Sequence, residues 1–177
     1  QPNLLFENDG DGHFFDISAV AGIQASGKRI HRSAIFADYD NDGLVDIYVS
    51  NNGQQVEDGK GNTVADEAQG VGVLYHNESK TKNRWLKVRL EGTKSNRDAY
   101  GAEVTVTAGD LVLIQPLISG TSYFSTNAKE LYFGIGMSTK ADRLEIKWPS
   151  GIIQTFNNIE NNQTVLIIEG KESFQVL

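Results

Sequence analysis

Asp38-Tyr39-Asp40-Asn41-Asp42-Gly43-Leu44-Val45-Asp46 places four carboxylates at positions 1, 3, 5 and 9 of one nine-residue stretch. Alternate acids converge on a point when the chain curls, and Gly43 at position 6 permits the sharp turn that the curl needs. Leu44 then offers its backbone carbonyl and Asp46 a last side chain. The result is an all-oxygen set of the kind a hard cation takes, and the radius and loose geometry of Ca2+ suit it better than the strict octahedron of Mg2+. The plainer reading is a hairpin turn at Asp42-Gly43 among solvated acids, but a turn needs only one or two of them. Four carboxylates so close repel one another unless a cation neutralises them. The candidate metal ligands are Asp38, Asp40, Asp42, Leu44 and Asp46.

The flanks of this stretch set the fold class. A helix-loop-helix calcium site needs helices on both sides and a bidentate Glu at position 12, where Val49 stands. Residues 34–37 and 45–50 are instead short, apolar and β-branched, so the site reads as strand-loop-strand. Outward from there, helical periodicity is hard to find. Short apolar or alternating runs bounded by Gly, Asn and Asp recur about every ten residues, the spacing of an all-β chain.

In the first half the runs are 4–7, 14–17, 33–37, 45–50 and 73–76. Asn8-Asp9-Gly10-Asp11-Gly12 is too short and too rich in glycine to wrap an ion, and reads as a tight hairpin before Phe14. Leu5-Phe6-Glu7-Asn8 is echoed by Leu74-Tyr75-His76-Asn77, about 69 residues later, which suggests one repeat enlarged by the loop 51–70. That loop carries Glu57, Asp58, Asp66 and Glu67, which are either ligand contacts or parts of a plain insertion. A single repeat leaves its apolar faces uncovered, so it must pack on other repeats or on the rest of the chain.

From Arg84 onward the runs are more regular: 85–90, 101–107, 111–118, 131–133, 144–148, 152–156 and 164–168, a number that suits an antiparallel β-sandwich. In Trp85-Leu86-Lys87-Val88-Arg89-Leu90 the leucines and the valine share one face and the bases the other, as a half-buried strand requires. Trp148-Pro149-Ser150-Gly151 reads as a hairpin turn. The expected architecture is all-β with two domains: residues 1–80, a partial propeller-type repeat holding the metal loop, and residues 81–177, the sandwich.

Composition excludes several classes. The net charge of -7 is concentrated in residues 1–80, which carry 13 acids against 5 bases, while residues 81–177 carry 10 against 11. No basic stripe with interleaved aromatics exists to bind phosphate backbones, so nucleic acid is not an expected partner. No apolar run approaches the roughly 18 residues that span a bilayer, and no membrane insertion is expected. With no cysteine, disulfides and thiolate metal sites are impossible. The chain opens directly in strand-like sequence (Asn3, Leu4, Leu5, Phe6), which suggests a piece of a longer protein.

Catalytic motifs are missing. Residues 22–28 match G-x-x-x-x-G-K, but Arg29 stands where a phosphate loop needs Ser or Thr, and no helix pattern follows. His13, His31 and His76 lack metal-ligand spacing, and no G-x-S-x-G elbow accompanies them. Among the many acids no pair stands out for glycoside hydrolysis. The expectation is that the chain is not an enzyme. Asn77-Glu78-Ser79 and Asn162-Gln163-Thr164 are acceptor triplets for glycosylation, informative only in a secreted eukaryotic protein.

Taken together, 37–49 and the preceding Asn8-Asp9-Gly10-Asp11-Gly12-His13-Phe14 resemble the calcium loop and the N-x-G-D-G-x-F hairpin of FG-GAP or VCBS-type repeats, as in integrin-like β-propellers. Residues 83–170 resemble an ASPIC/UnbV domain through Asn83-Arg84-Trp85-Leu86, Ser95-Asn96-Arg97, Gly101-Ala102, Phe133-Gly134-Ile135-Gly136 and Trp148-Pro149-Ser150-Gly151. The two in this order resemble the C-terminal part of the cartilage acidic protein-like family. That resemblance implies Ca2+ at Asp38, Asp40, Asp42, Leu44 and Asp46, an extracellular or periplasmic setting, a protein or glycan partner, and no established catalysis. One departure is Tyr132, where the family often has His before Phe-Gly-x-Gly. The functional expectation is a calcium-binding interaction or scaffolding module. Its alternatives are a non-catalytic accessory in enediyne-type biosynthesis, since relatives of the second domain occur there, and a carbohydrate-binding module, by analogy with other sandwiches.

Overall fold

The computed structural model describes residues 2–24, 31–51, 55–57, 63–65 and 72–177, and every described element is a β-strand. The chain divides into two compact units. Unit 1 comprises Gln1–Phe36, Asp46–His76 and Ser122–Ser125; unit 2 comprises Ala37–Val45, Asn77–Thr121 and Thr126–Leu177.

Unit 1 opens with a hairpin of β1 (Phe6–Asn8) and β2 (Phe14–Asp16), in register Phe6↔Asp16 and Asn8↔Phe14. The expected turn between them is tied by Asp9, whose Oδ1 accepts from the Asp11 amide at 2.8 Å and the His13 amide at 3.2 Å. A three-stranded sheet follows, in the order β3 (His31–Ala37), β4 (Asp46–Asn51), β7 (Val73–Tyr75). Between β4 and β7 lies a small hairpin of β5 (Gln55–Glu57) and β6 (Thr63–Ala65), inside the stretch 51–70 expected to be a loop. Polar ties hold this unit as much as packing does. Tyr75 Oη donates to the Ile23 carbonyl at 2.7 Å, and Asn3 Nδ2 donates to the same carbonyl at 3.2 Å. Of its described apolar side chains only Ile23 and Val49 are buried, while Phe6, Phe14, Phe15 and Leu74 are each about half exposed or more.

Unit 2 contains two four-stranded sheets. One has the order β10 (Leu111–Pro116), β9 (Glu103–Ala108), β12 (Lys140–Lys147), β13 (Ile153–Glu160); the other β11 (Glu130–Gly136), β8 (Arg84–Glu91), β14 (Gln163–Ile168), β15 (Gln175–Val176). The pairings are antiparallel save one: β14 runs parallel to β8, from Gln163↔Leu86 to Ile168↔Glu91. A single core draws on both sheets, with Leu86, Val88, Phe133, Ile135, Val165 and Ile167 from one and Val104, Val106, Leu144, Ile146 and Ile159 from the other. Period-two alternation produces it: in β9, Val104, Val106 and Ala108 are buried between half-exposed neighbours. Each fully buried Leu, Ile, Val or Phe contributes about 1.5–3 kcal/mol.

One carboxylate clamps the end of this unit. Glu169, just beyond β14, is buried, and its Oε2 accepts from the amides of Thr93, Lys94 and Ser95 at 2.7 Å each. Its Oε1 accepts from Ser95 Oγ at 2.9 Å and from Ser150 Oγ, in the expected turn after Trp148. Burial alone would raise the carboxyl, but the Ser150 hydroxyl and the Ser95 and Thr93 amides outweigh it and hold the group down to about 2.

Candidate metal centre

The aspartate loop is built by its own side chains. Asp38 ends the run out of β3, and its Oδ1 accepts from the Asp42 amide at 3.1 Å while Oδ2 accepts from the Gly43 amide at 3.0 Å. Asp40 Oδ1 accepts from the same Asp42 amide at 3.3 Å, and Asp42 Oδ1 accepts from the Leu44 amide at 2.8 Å. Aspartates bond readily to backbone two residues on, so the D-x-D-x-D-G pattern curls the chain as its spacing predicts. The curl demands two left-handed residues, Asn41 at φ 62° and Gly43 at φ 92°. Gly43 is further constrained because a Cβ there would lie 2.0 Å from Trp85 Nε1.

Four of the five candidates, Asp38, Asp40, Asp42 and Leu44, thus sit in one curl. Carboxylate oxygens of Asp38 and Asp40 lie within 4.8 Å of each other, as do those of Asp40 and Asp42. Asp46 belongs to unit 1 as the first residue of β4, where it is buried and has His76 Nδ1 3.2 Å from its Oδ1. His76, which lacks metal-ligand spacing in the sequence, is therefore paired with a candidate ligand.

The structure corrects one expectation about unit 2. Lys87, read as a solvated base on the polar face of β8, is buried. The loop Ala37–Val45 covers it: Lys87 Nζ donates to Asp38 Oδ2 at 2.7 Å and to Asn41 Oδ1 at 3.0 Å. Its ammonium also lies 5.5 Å from the Trp85 ring and 5.9 Å from the Tyr132 ring. Arg89, two residues on, keeps 54% of its side chain exposed, as the alternation had implied. Tyr132 is the direct cross-strand partner of Lys87, and its Oη accepts from the Asp38 amide at 3.2 Å. Strand alternation predicts that Lys87 and Tyr132 share a face with Trp85, but no local signal says what covers that face.

The donor set fits a hard divalent cation. Among the described atoms Asp38 Oδ2 has two donors on it and Oδ1 has one, which leaves Oδ1 room for a single further bond. Asp38, Asp40 and Asp42 bring three carboxylates into one curl. The candidate ligand atoms are oxygens, as Ca2+ prefers.

Other expectations fall elsewhere. His13 pairs with Asp9 at 2.9 Å in the first hairpin. Gly27 and Lys28 of the G-x-x-x-x-G-K match lie outside the described residues, as do Asp58, Asp66 and Glu67 of the long loop. Among the described residues no helix is long and apolar enough to cross a membrane.

Comparison with known proteins matches residues 1–49 to the FG-GAP-like repeat and residues 92–174 to the family described as ASPIC and UnbV. The aspartate curl lies in the first match, while Trp85 and Lys87 lie between the two. Cartilage acidic protein 1 of Homo sapiens is 44% identical over 50 residues, which is 28% of this chain and 7% of that protein.

Proposed function

From a chain that carries an FG-GAP-like repeat followed by an ASPIC and UnbV domain, we propose a calcium-binding interaction or scaffolding module without catalytic activity, working outside the cell or in the periplasm. Asp38, Asp40, Asp42, the Leu44 carbonyl and Asp46, two residues beyond Leu44, are its ligands. The observation that carries the reading is the self-closed curl, in which carboxylate oxygens of Asp38 and Asp40, and of Asp40 and Asp42, lie within 4.8 Å of each other. Calcium, when bound, supplies positive charge and cross-links carboxylates that otherwise repel. Because the unfolded chain holds no such site, its binding free energy adds to folding stability. Phe6, Phe14, Phe15 and Leu74 leave on unit 1 the kind of apolar surface that neighbouring repeats cover, and the partner is a protein or a glycan.

Calorimetric titration of chelator-treated protein with Ca2+ and then Mg2+, paired with thermal melts, tests the reading. The expected result is calcium binding with a raised Tm and a much weaker magnesium response, both lost in Asp40→Ala. No heat of calcium binding and an unchanged Tm would reduce the curl to a hydrogen-bonded turn.

A further inference from the structure

We propose that Lys87 is a resident cation of the aspartate curl: it holds Asp38 in place when no metal is bound and shares with calcium the neutralisation of that carboxylate. The inference rests on the calcium reading above, and it concerns a residue that neither matched segment contains.

A lysine is almost never fully buried without a partner, and Lys87 is buried with its ammonium 2.7 Å from Asp38 Oδ2. The Asp38 side chain has no exposure either, so each is the main compensation of the other. The ammonium is further fixed by Asn41 Oδ1 and by the faces of Trp85 and Tyr132, and its strand partner Tyr132 takes the Asp38 amide. Two neighbouring side chains of one sheet therefore grip both the backbone and the carboxylate of the first candidate ligand.

Two consequences follow from electrostatics. Without metal, loss of the lysine charge leaves a buried carboxylate uncompensated, which destabilises far more than loss of a surface pair. With metal, calcium and the ammonium act on the same carboxylate and repel each other, so they couple negatively. Removing one must increase the effect of the other.

The test uses the whole chain as wild type, Lys87→Met, Lys87→Arg and the double variant Lys87→Met with Asp38→Asn, each melted in chelator and in calcium and titrated with calcium. In chelator, Lys87→Met is expected to melt about 10 °C or more below wild type, Lys87→Arg to stay near wild type, and the double variant to recover part of the loss because no buried charge is left unpaired. Calcium is expected to raise the Tm of Lys87→Met by more than that of wild type, and to bind it about tenfold tighter. If Lys87→Met fails to fold without metal, the double variant still decides: no recovery by Asp38→Asn overturns the proposal. Equal calcium responses in wild type and Lys87→Met overturn it while leaving the calcium reading intact. A wild type indifferent to calcium overturns that reading, and the metal coupling proposed for Lys87 with it.

Discussion

Replacing Glu169 by Gln removes one charge from unit 2 with almost no change in shape. Three amides converge on Oε2 and two hydroxyls on Oε1. A glutamine can set its carbonyl toward the amides and its NH2 toward the hydroxyls, which rotate to accept. What is lost is the charge-assisted part of five hydrogen bonds. The native carboxyl is held at about 2 against an ordinary 4.5. Linkage converts that depression into about 3 kcal/mol of stability at neutral pH, and so into a Tm lower by about 10 °C for a unit of this size. The sign in pH follows from the depression. The contribution is complete above the unfolded value of 4.5 and is lost as pH falls through the native value of about 2. The difference between wild type and Glu169→Gln should therefore be constant from pH 7 to about 5 and shrink toward pH 2. Urea melts followed by the fluorescence of Trp148, buried in the same core, measure it at each pH, and comparison with the variant cancels the other carboxylates. A difference that stays constant down to pH 2.5, or that is absent at pH 7, would refute the reasoning.

Gly43→Ala should destabilise by about 2–4 kcal/mol, because the residue keeps φ 92° and a Cβ would enter the Trp85 ring; a shifted Trp85 emission and weakened calcium binding would accompany the loss, and an unchanged Tm would deny the contact. Tyr132→Phe removes the acceptor of the Asp38 amide but keeps the ring beside Lys87, so a modest loss of about 1 kcal/mol is expected in denaturant melts. A loss as large as that of Lys87→Met would mean that the hydroxyl, not the ammonium, anchors the loop.

Much of this protein is local in its sequence. Alternation in Glu103–Ala108 and the apolar beat of Gln163–Ile168 specify strands because a pleated chain presents every second side chain to one face. The D-x-D-x-D-G spacing curls residues 38–43 because short acidic side chains bond to amides a few residues on and glycine tolerates positive φ. The hairpin within the long loop, Gln55–Glu57 with Thr63–Ala65, escaped the reading because its three-residue strands are too short to show a period. So did the two-residue Gln175–Val176, which adds an edge to β14.

Tertiary structure decided what a side chain of known direction would meet. Leu86, Val88 and Leu90 point to the core, as alternation requires, and Lys87 points the other way. Whether that other side was water or protein depended on a loop more than forty positions upstream, whose approach no period encodes. The same holds for Glu169, an ordinary acid after a strand until three amides from 93–95 and a hydroxyl from the 148–151 turn close around it. Sequence determined the strands and the aspartate curl because those rest on neighbours in the chain. Only the folded chain could set the charge partners, because a buried ion is stable only where distant segments deliver its complement.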